Sequence, residues 1–146
     1  MTIKRPHLLS FLFVVGLSAC GGQGLPADRP ASQYANPQEL IAALEAGGAL
    51  SCQAYEDTTP AGDIGISSGR CVAVLGNNTP VPLLVTVFDE FGVSSGGLDT
   101  YVNSYQEAAR ANNGDPILLV GPNWVVSSTR ETLVAIQGVI GGSLKD

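Results

Sequence analysis

The sequence contains very little histidine and lysine, and this shortage narrows the chemistry that the protein can perform. Its 146 residues include one histidine, which is His7, and the only lysine beyond the first five residues is Lys145. Without an imidazole in the body of the chain, Ser-His and Cys-His nucleophiles and histidine-ligated zinc are excluded. A Ser-Lys pair is disfavoured because Lys145 lies one residue from the end of the sequence. The most common hydrolase mechanisms are therefore not expected.

Basic residues of both kinds are scarce. The chain has seven Lys and Arg against 13 Asp and Glu, which gives a formal net charge of −6. Binding to nucleic acid, or to anionic lipid by charge alone, needs basic patches that such a chain lacks. We therefore expect no nucleic-acid partner.

Long apolar runs are also missing, and the most apolar stretch lies near the start of the sequence. Residues 8–17 are almost wholly apolar, but a permanent membrane span needs about 20 such residues. Lys4 and Arg5 precede this run, and the small residues Ser18 and Ala19 follow it. A positive start, a short apolar core and small residues before a cleavage site are typical of a signal peptide.

The string Leu17-Ser18-Ala19-Cys20 resembles the lipobox of bacterial lipoproteins. The resemblance implies a lipoprotein signal peptide at residues 1–19 and a diacylglycerol on the Cys20 thiol, with a further acyl chain such as palmitate on the freed amine. Two or three chains anchor a protein durably, since each buried methylene contributes about 0.8 kcal/mol. The alternative is an ordinary secretory peptide followed by an accidental cysteine.

The same resemblance predicts where the protein is located. It implies the outer face of the cytoplasmic membrane, with the lipid on Cys20 holding the protein there. If the host has an outer membrane, that membrane is the alternative, because Gly21 is not the aspartate associated with inner-membrane retention.

Removal of the leader changes the charge and the cysteine count. His7, Lys4 and Arg5 leave with it, so five basic residues face 13 acidic ones and the formal charge becomes −8. With Cys20 assigned to lipid, Cys52 and Cys71 remain, and in an oxidising compartment we expect them to form a disulfide. A redox pair or metal site is the alternative, but the spacing is not C-x-x-C and no histidine accompanies the pair.

Residues 20–35 are predicted to be a lipidated flexible tether, because they are rich in Gly, Pro, Ser and Gln. A single α+β domain is expected at residues 36–146. It begins at Asn36, which can cap a helix that has Pro37 at its first position and Glu39 as the capping-box acid.

The pattern of apolar residues and turn formers predicts the order α-β-β-β-α-β-β-α. Short connections between the first strands favour a mainly antiparallel sheet, and about three helices on one face make a small two-layer sandwich. The run Pro82 to Phe88 is apolar throughout and predicts a central strand buried on both faces. The predicted helices are 37–46, 97–112 and 129–140, and the predicted strands are 50–55, 70–75, 82–88, 117–120 and 124–127.

The most distinctive internal string is residues 121–126, which contain Asn123 and Trp124. Trp124 is the only tryptophan, and it has two interpretations: a core anchor whose N–H is bonded to a neighbour, or part of a recognition surface. Together with the upstream cysteine pair and a terminal helix, the string is loosely similar to small uncharacterised lipoproteins of actinobacteria. That similarity implies no known activity and no catalytic residues.

Paired acids and a glycine-rich segment are the other candidate features. Glu56-Asp57 and Asp89-Glu90 could act on sugars or hold calcium, but neighbours in a strand point to opposite faces, so neither doublet forms a dyad. Residues 92–97 precede a helix, yet they contain no Lys or Arg, and we expect them to be a flexible loop.

These observations favour a lipid-anchored extracytoplasmic envelope protein without catalytic residues or cofactor, binding an envelope protein or a cell-wall component. One alternative is an envelope glycan hydrolase with two carboxylates about 5–9.5 Å apart in a cleft. Another is a small-ligand carrier with an apolar pocket near Trp124.

Overall fold

A computed structural model describes residues 30–146 of the chain. The predicted signal peptide, Cys20 and most of the predicted tether lie outside the described residues. Within the described range the helices are α1 (Pro37–Ala46), α2 (Glu90–Ser94), α3 (Gly97–Ala111) and α4 (Arg130–Ile140). The strands are β1 (Ser51–Asp57), β2 (Ile66–Val74), β3 (Pro80–Phe88), β4 (Leu118–Val120), β5 (Trp124–Ser127) and β6 (Ser143–Lys145).

The strands form one open sheet in the order β1-β2-β3-β5-β4-β6. Every neighbouring pair is antiparallel, so the predicted α+β class and the antiparallel sheet are confirmed. The apolar strand β3 lies inside the sheet, where it pairs with β2 along its whole length and with β5 over Leu84–Val87. Its last four residues are buried, as expected for a strand that carries apolar side chains on both faces.

Helices α1 and α4 cover one face of the sheet. Their apolar stripes, spaced as on an amphipathic helix, pack onto alternate residues of the strands. This main core includes Leu40 and Leu44 of α1, Leu133 and Ile136 of α4, and Trp124 of β5, all 0% exposed.

Helix α3 packs on the face opposite α1 and α4, so helices lie on both faces of the sheet. Here Phe88 of β3 and Val125 of β5 are buried beneath Tyr101 and Val102 of α3, and the rings of Phe88 and Tyr101 meet edge-on at 5.7 Å. The physical reason lies in the sheet itself. Central strands that are apolar on both faces need a cover on each side.

Two short elements were not predicted from the sequence. Residues 90–94 form α2, so the first part of the segment 92–97, predicted as a flexible loop, is helical; the Asp89 carboxylate caps this turn by accepting a hydrogen bond from the Gly92 amide at 2.8 Å. Strand β6 follows α4 and pairs with β4. A strand of three residues is too short to show an alternation of apolar and polar side chains in the sequence. Residues 143–145 become a strand because they pair with β4.

Helix α1 begins at the predicted cap, and helix α4 begins one residue later than predicted. The Asn36 side chain accepts the Glu39 amide at 2.9 Å, as predicted. Helix α4 begins at Arg130, one residue after the predicted start at residue 129, and Thr129 is its cap. The Ser128 hydroxyl instead donates to the Pro82 carbonyl at 2.7 Å.

Strand β1 is the edge of the sheet and contains a bulge. The register with β2 shifts between Gln53 and Glu56, and Ala54 has a φ of 53°. The bulge keeps Glu56 opposite Arg70, while the Tyr55 ring covers Gly69, where an added Cβ would lie 2.4 Å from the phenol oxygen. A bulge on an edge strand also hinders pairing with another chain.

The Cys52–Cys71 disulfide is confirmed and joins β1 to β2. The two Cα atoms are 5.7 Å apart, and the cysteines are separated by 19 residues in sequence. Because β1 is exposed along most of its length, burial of its side chains contributes little stability, and the disulfide attaches the strand covalently to β2.

Replacement of both cysteines, Cys52→Ala with Cys71→Ala, should lower the free energy of unfolding by about 3 kcal/mol, because the chain-entropy model assigns that value to a loop of this length. Denaturant unfolding measures the loss. Reduction of the wild-type protein should cause a similar loss and leave the double variant unaffected. Equal stability of the oxidised wild type and the double variant would contradict the assignment.

Candidate functional site

Trp124 lies in the core, so the interpretation of its side chain as an exposed recognition surface is wrong. The residue is 0% exposed, and its indole N–H donates to the Ser32 carbonyl at 2.8 Å. The Tyr34 ring packs beside it with ring centroids 6.3 Å apart. This is the alternative in which the tryptophan anchors the core and a neighbour satisfies its N–H.

Asn123 attaches the segment before α1 to the end of β3. Its side-chain oxygen accepts the Tyr34 amide at 3.1 Å, and its side-chain nitrogen donates to the carbonyls of Tyr34 at 2.8 Å and Phe88 at 3.0 Å. Packing of the domain therefore begins near Ala31, before the predicted boundary at Asn36. The last residues of the predicted tether are part of the folded unit.

Close packing around the indole depends on glycine. A Cβ at Gly121 would lie 2.0 Å from the Trp124 ring, and one at Gly142 would lie 2.8 Å from it. Both distances are far shorter than van der Waals contact, so larger side chains would displace the ring. The string 121–126 is thus distinctive because it builds this packing, and the side chains of Asn123 and Trp124 are not available to a partner.

A broad groove lies on the α3 face of the sheet, at the end of β3 opposite Phe88. Its floor includes Val72 of β2 with Pro82 and Leu84 of β3. Tyr105, near the end of α3, and residues 127–130, from the end of β5 to the start of α4, border this floor. We call this feature the β2–β3 groove.

The β2–β3 groove has a volume of about 1060 Å³, and most of its exposed lining is apolar. Sites for small ligands are typically about 300–1,000 Å³ and apolar with a few polar groups. The groove exists because α3 covers β4, β5 and the end of β3 but leaves the start of β3 and the outer part of β2 open, so Val72 remains 41% exposed. Trp124 does not line this cavity. A second cavity of about 600 Å³ lies beside the indole's neighbours Gly121 and Gly142.

Ion pairs border the groove on two sides. The Arg70 guanidinium donates from Nε and Nη2 to Glu56 Oε2 at 2.9 and 2.7 Å. Arg130 pairs with Asp146. These side chains are more than half exposed, so solvent screens the pairs and they contribute little to stability. Their effect is to place both signs of charge around an apolar floor.

Polar groups deeper in the groove wall are satisfied within the protein. The Tyr105 hydroxyl is 2.7 Å from the Ser127 hydroxyl. Pro82 presents its carbonyl to Ser128, and Pro80 precedes it on the same side of β3. Because neither proline has an amide N–H, this stretch of β3 cannot offer the donors that an added strand would need.

The groups with displaced pKa values lie outside the groove lining. Burial raises the pKa of Tyr34 above its usual value. Burial, with a smaller effect of the Asp57 charge, also raises the pKa of Tyr55. The Thr59 amide, which donates to the Asp57 carboxylate at 2.9 Å, lowers the pKa of that acid, and the Thr59 hydroxyl adds to the effect. These shifts follow from packing and turn geometry.

The acid doublets follow the predicted geometry. Glu56 and Asp57 pair with consecutive positions of β2, Arg70 and Gly69, and so point to opposite faces of the sheet. Of the second doublet, Asp89 caps α2 and Glu90 is the first residue of that helix. In residues 30–146, no group of three or more His, Cys, Asp or Glu side chains could hold a metal ion.

Comparison with protein-family models, curated proteins and solved structures finds no match for this chain. Among the helices in the described part of the chain, none is long and apolar enough to cross a membrane.

Replacement of Asn123 by aspartate should lower the free energy of unfolding by about 1–3 kcal/mol, because a carboxylate cannot donate to the buried Tyr34 and Phe88 carbonyls. Denaturant unfolding provides the measurement. Asn103 lies exposed on α3, so Asn103→Asp is the matched control and should stay within about 0.5 kcal/mol of the wild type. Equal losses in the two variants would show that the charge, and not the lost donor, is responsible.

Proposed function

We propose that this protein is a lipid-anchored extracytoplasmic binding module without catalytic function, and that the β2–β3 groove binds an apolar group of an envelope component. The observation that carries the proposal is the groove itself: a mostly apolar concavity of about 1060 Å³ on a part of the α3 face that α3 leaves uncovered. A ligand that covers this apolar surface removes it from water, and this burial lowers the free energy of the complex.

The groove is supported by rigid elements. Its floor belongs to the longest strand pairing of the sheet, which runs without interruption from Ile66–Phe88 to Val74–Pro80. The disulfide ties the neighbouring edge strand to β2. A site on such a scaffold keeps its shape without a ligand, which reduces the entropy cost of binding.

The chemistry of the lining favours insertion of side chains or acyl groups over addition of a strand. Pro80 and Pro82 remove amide donors from the exposed stretch of β3, and the bulge at Ala54 distorts the outer edge of the sheet. Val72, Leu84 and the Tyr105 ring offer apolar contact instead. An apolar group of an envelope protein, a lipid or a cell-wall component therefore fits the groove best.

The first described residues and the groove lie toward opposite ends of β3. Ser32 and Tyr34 contact Trp124 and Asn123, near Phe88 at the end of the strand. The groove begins at Pro80, eight residues from Phe88 along β3, or roughly 26 Å at the usual rise of a strand.

Glycan hydrolysis is the second candidate. Glu56 and Asp115 come from different segments and both line the groove, as a pair of hydrolytic carboxylates would. However, Arg70 donates two hydrogen bonds to Oε2 of Glu56, so one of the two carboxylate oxygens is engaged within the protein and only Oε1 is open to a sugar. Binding is therefore the function that the geometry supports best.

Replacement of Cys20 by alanine should release the protein from the membrane, because the variant lacks the thiol that accepts the lipid. Fractionation of cells after detergent-free washing measures the distribution. The wild type and the leader variant Ser10→Ala should both remain in the membrane fraction. Full retention of Cys20→Ala would contradict the anchor.

The groove can be tested with the neutral apolar fluorophore N-phenyl-1-naphthylamine. The wild type should bind it, and Val72→Glu should weaken binding about tenfold or more, because a charge would occupy the apolar floor. Val134 is a matched control: it is a valine 48% exposed, on α4 at the other face. Val134→Glu should bind like the wild type. Absence of binding by the wild type, or equal loss in both variants, would contradict the groove as the site.

A further inference from the structure

The β2–β3 groove contains a polar row at the end where α3 begins to cover the sheet. Glu56 lies opposite Arg70 in the strand register, Arg70 lies opposite Leu84, and Leu84 lies opposite Ser127. Side chains directly opposite one another on neighbouring strands point to the same face of the sheet, and all four of these residues line the groove. Three polar side chains therefore share one row with a leucine.

The apolar part of the floor extends from this row toward the start of β3. Val72 lies opposite Pro82 in the next row, and Pro80 lies two residues further out. From Leu84 to Pro80 the floor is about 14 Å long at the usual rise of a strand. In the other direction the groove ends, because Thr86 is 1% exposed and hydrogen-bonded to α3. An elongated apolar chain with a polar group at the end near α3 fits this floor.

The polar row offers hydrogen-bond donors and acceptors side by side. Nε and Nη2 of Arg70 both donate to Oε2 of Glu56. Within residues 30–146, neither Nη1 of Arg70 nor Oε1 of Glu56 has a hydrogen-bond partner. The Tyr105 and Ser127 hydroxyls are 2.7 Å apart, and because one donates to the other, one O–H is left to donate elsewhere. The row therefore suits a head group that both donates and accepts.

The charges of the lining cancel, which disfavours an ionic head group. The charged lining residues are Arg70, Arg130, Glu56 and Asp115, two of each sign. Both arginines are already paired with acids, so an anionic head would have to compete with bonded side chains. A cationic head would find Glu56 bonded in the same way, and Asp115, which accepts a backbone amide, is not part of the row. A neutral head avoids the cost of bringing an uncompensated charge into the groove.

We propose that the ligand of the groove is a neutral amphiphile, an aliphatic chain that ends in a head group such as a carboxamide, and that the Arg70–Glu56 pair recognises this head. The ligand class rests on the binding role proposed for the groove. The head oxygen accepts from Nη1 of Arg70, and the head N–H donates to Oε1 of Glu56. The chain lies over Val72 and Pro82, where burial of its methylene groups stabilises the complex.

The test measures displacement of N-phenyl-1-naphthylamine from the full-length chain carrying Cys20→Ala, so that no lipid is attached at residue 20. Three competitors of equal chain length differ only in the head: decanamide, decanoate and the decylammonium ion. At neutral pH, decanamide should displace the fluorophore at a concentration about fivefold lower than either ion, because only the amide matches both the open donor and the open acceptor.

Substitutions in the pair separate recognition of the head from the greater hydrophobicity of a neutral ligand. Arg70→Met removes the guanidinium donors and should weaken decanamide about fivefold relative to the fluorophore. Glu56→Gln leaves the guanidinium without its carboxylate, so decanoate should gain affinity relative to decanamide. Arg110 is an exposed arginine outside the groove lining, and Arg110→Met is the matched control that should behave like the wild type.

Separate outcomes bear on the ligand class and on the groove itself. If the fluorophore binds but decanoate or decylammonium competes best, the neutral ligand is overturned while the groove remains a binding site. If the preference for decanamide is the same in Arg70→Met as in the wild type, recognition by the Arg70–Glu56 pair is overturned. Failure of the fluorophore to bind at all contradicts the groove as a site, and the ligand class with it.

Discussion

The amide of Asn123 holds together the parts of the chain on which the rest of the arrangement depends. It binds the backbone of Tyr34 through both its oxygen and its nitrogen, and it also donates to Phe88 at the end of β3. Trp124, the next residue, is buried against the same incoming segment. The entry point of the chain is thereby fixed at one end of the sheet, and the β2–β3 groove is left at the other.

The groove lies at the start of β3, where the strand is open to solvent. Arg70 pairs with Glu56 and Arg130 with Asp146 beside it, so charges of both signs border its apolar floor. We infer that an acidic chain presents a nearly balanced apolar concavity here, which suits an apolar group of a partner.

Much of the fold could be predicted from local patterns. The apolar run of β3, the cap at Asn36 and the pairing of Cys52 with Cys71 each depend on residues whose preferences act over a short range or on the arithmetic of cysteines. The three residues of β6 and the bulge at Ala54 were missed, because pairing with neighbouring strands creates both. The cover on both faces could have been anticipated, since the β3 run was already predicted to be buried on both sides.

The candidate site was much harder to predict from the sequence than the fold was. The contact between Tyr34 and Asn123 spans 89 residues, so nothing near Asn123 indicates a structural role for its amide. The groove has no motif at all. It results from where α3 ends relative to β2, and Val72 and Pro82 look like ordinary strand residues until the open part of the sheet is seen.

We infer that the β2–β3 groove is the surface with which this protein binds an envelope component. Photo-crosslinking in intact cells is the sharpest test, with a benzophenone amino acid placed at position 72 in the groove or at position 134 on the exposed face of α4. We expect a discrete crosslinked product from position 72 and none from position 134. No product from position 72, or the same product from both positions, would contradict it.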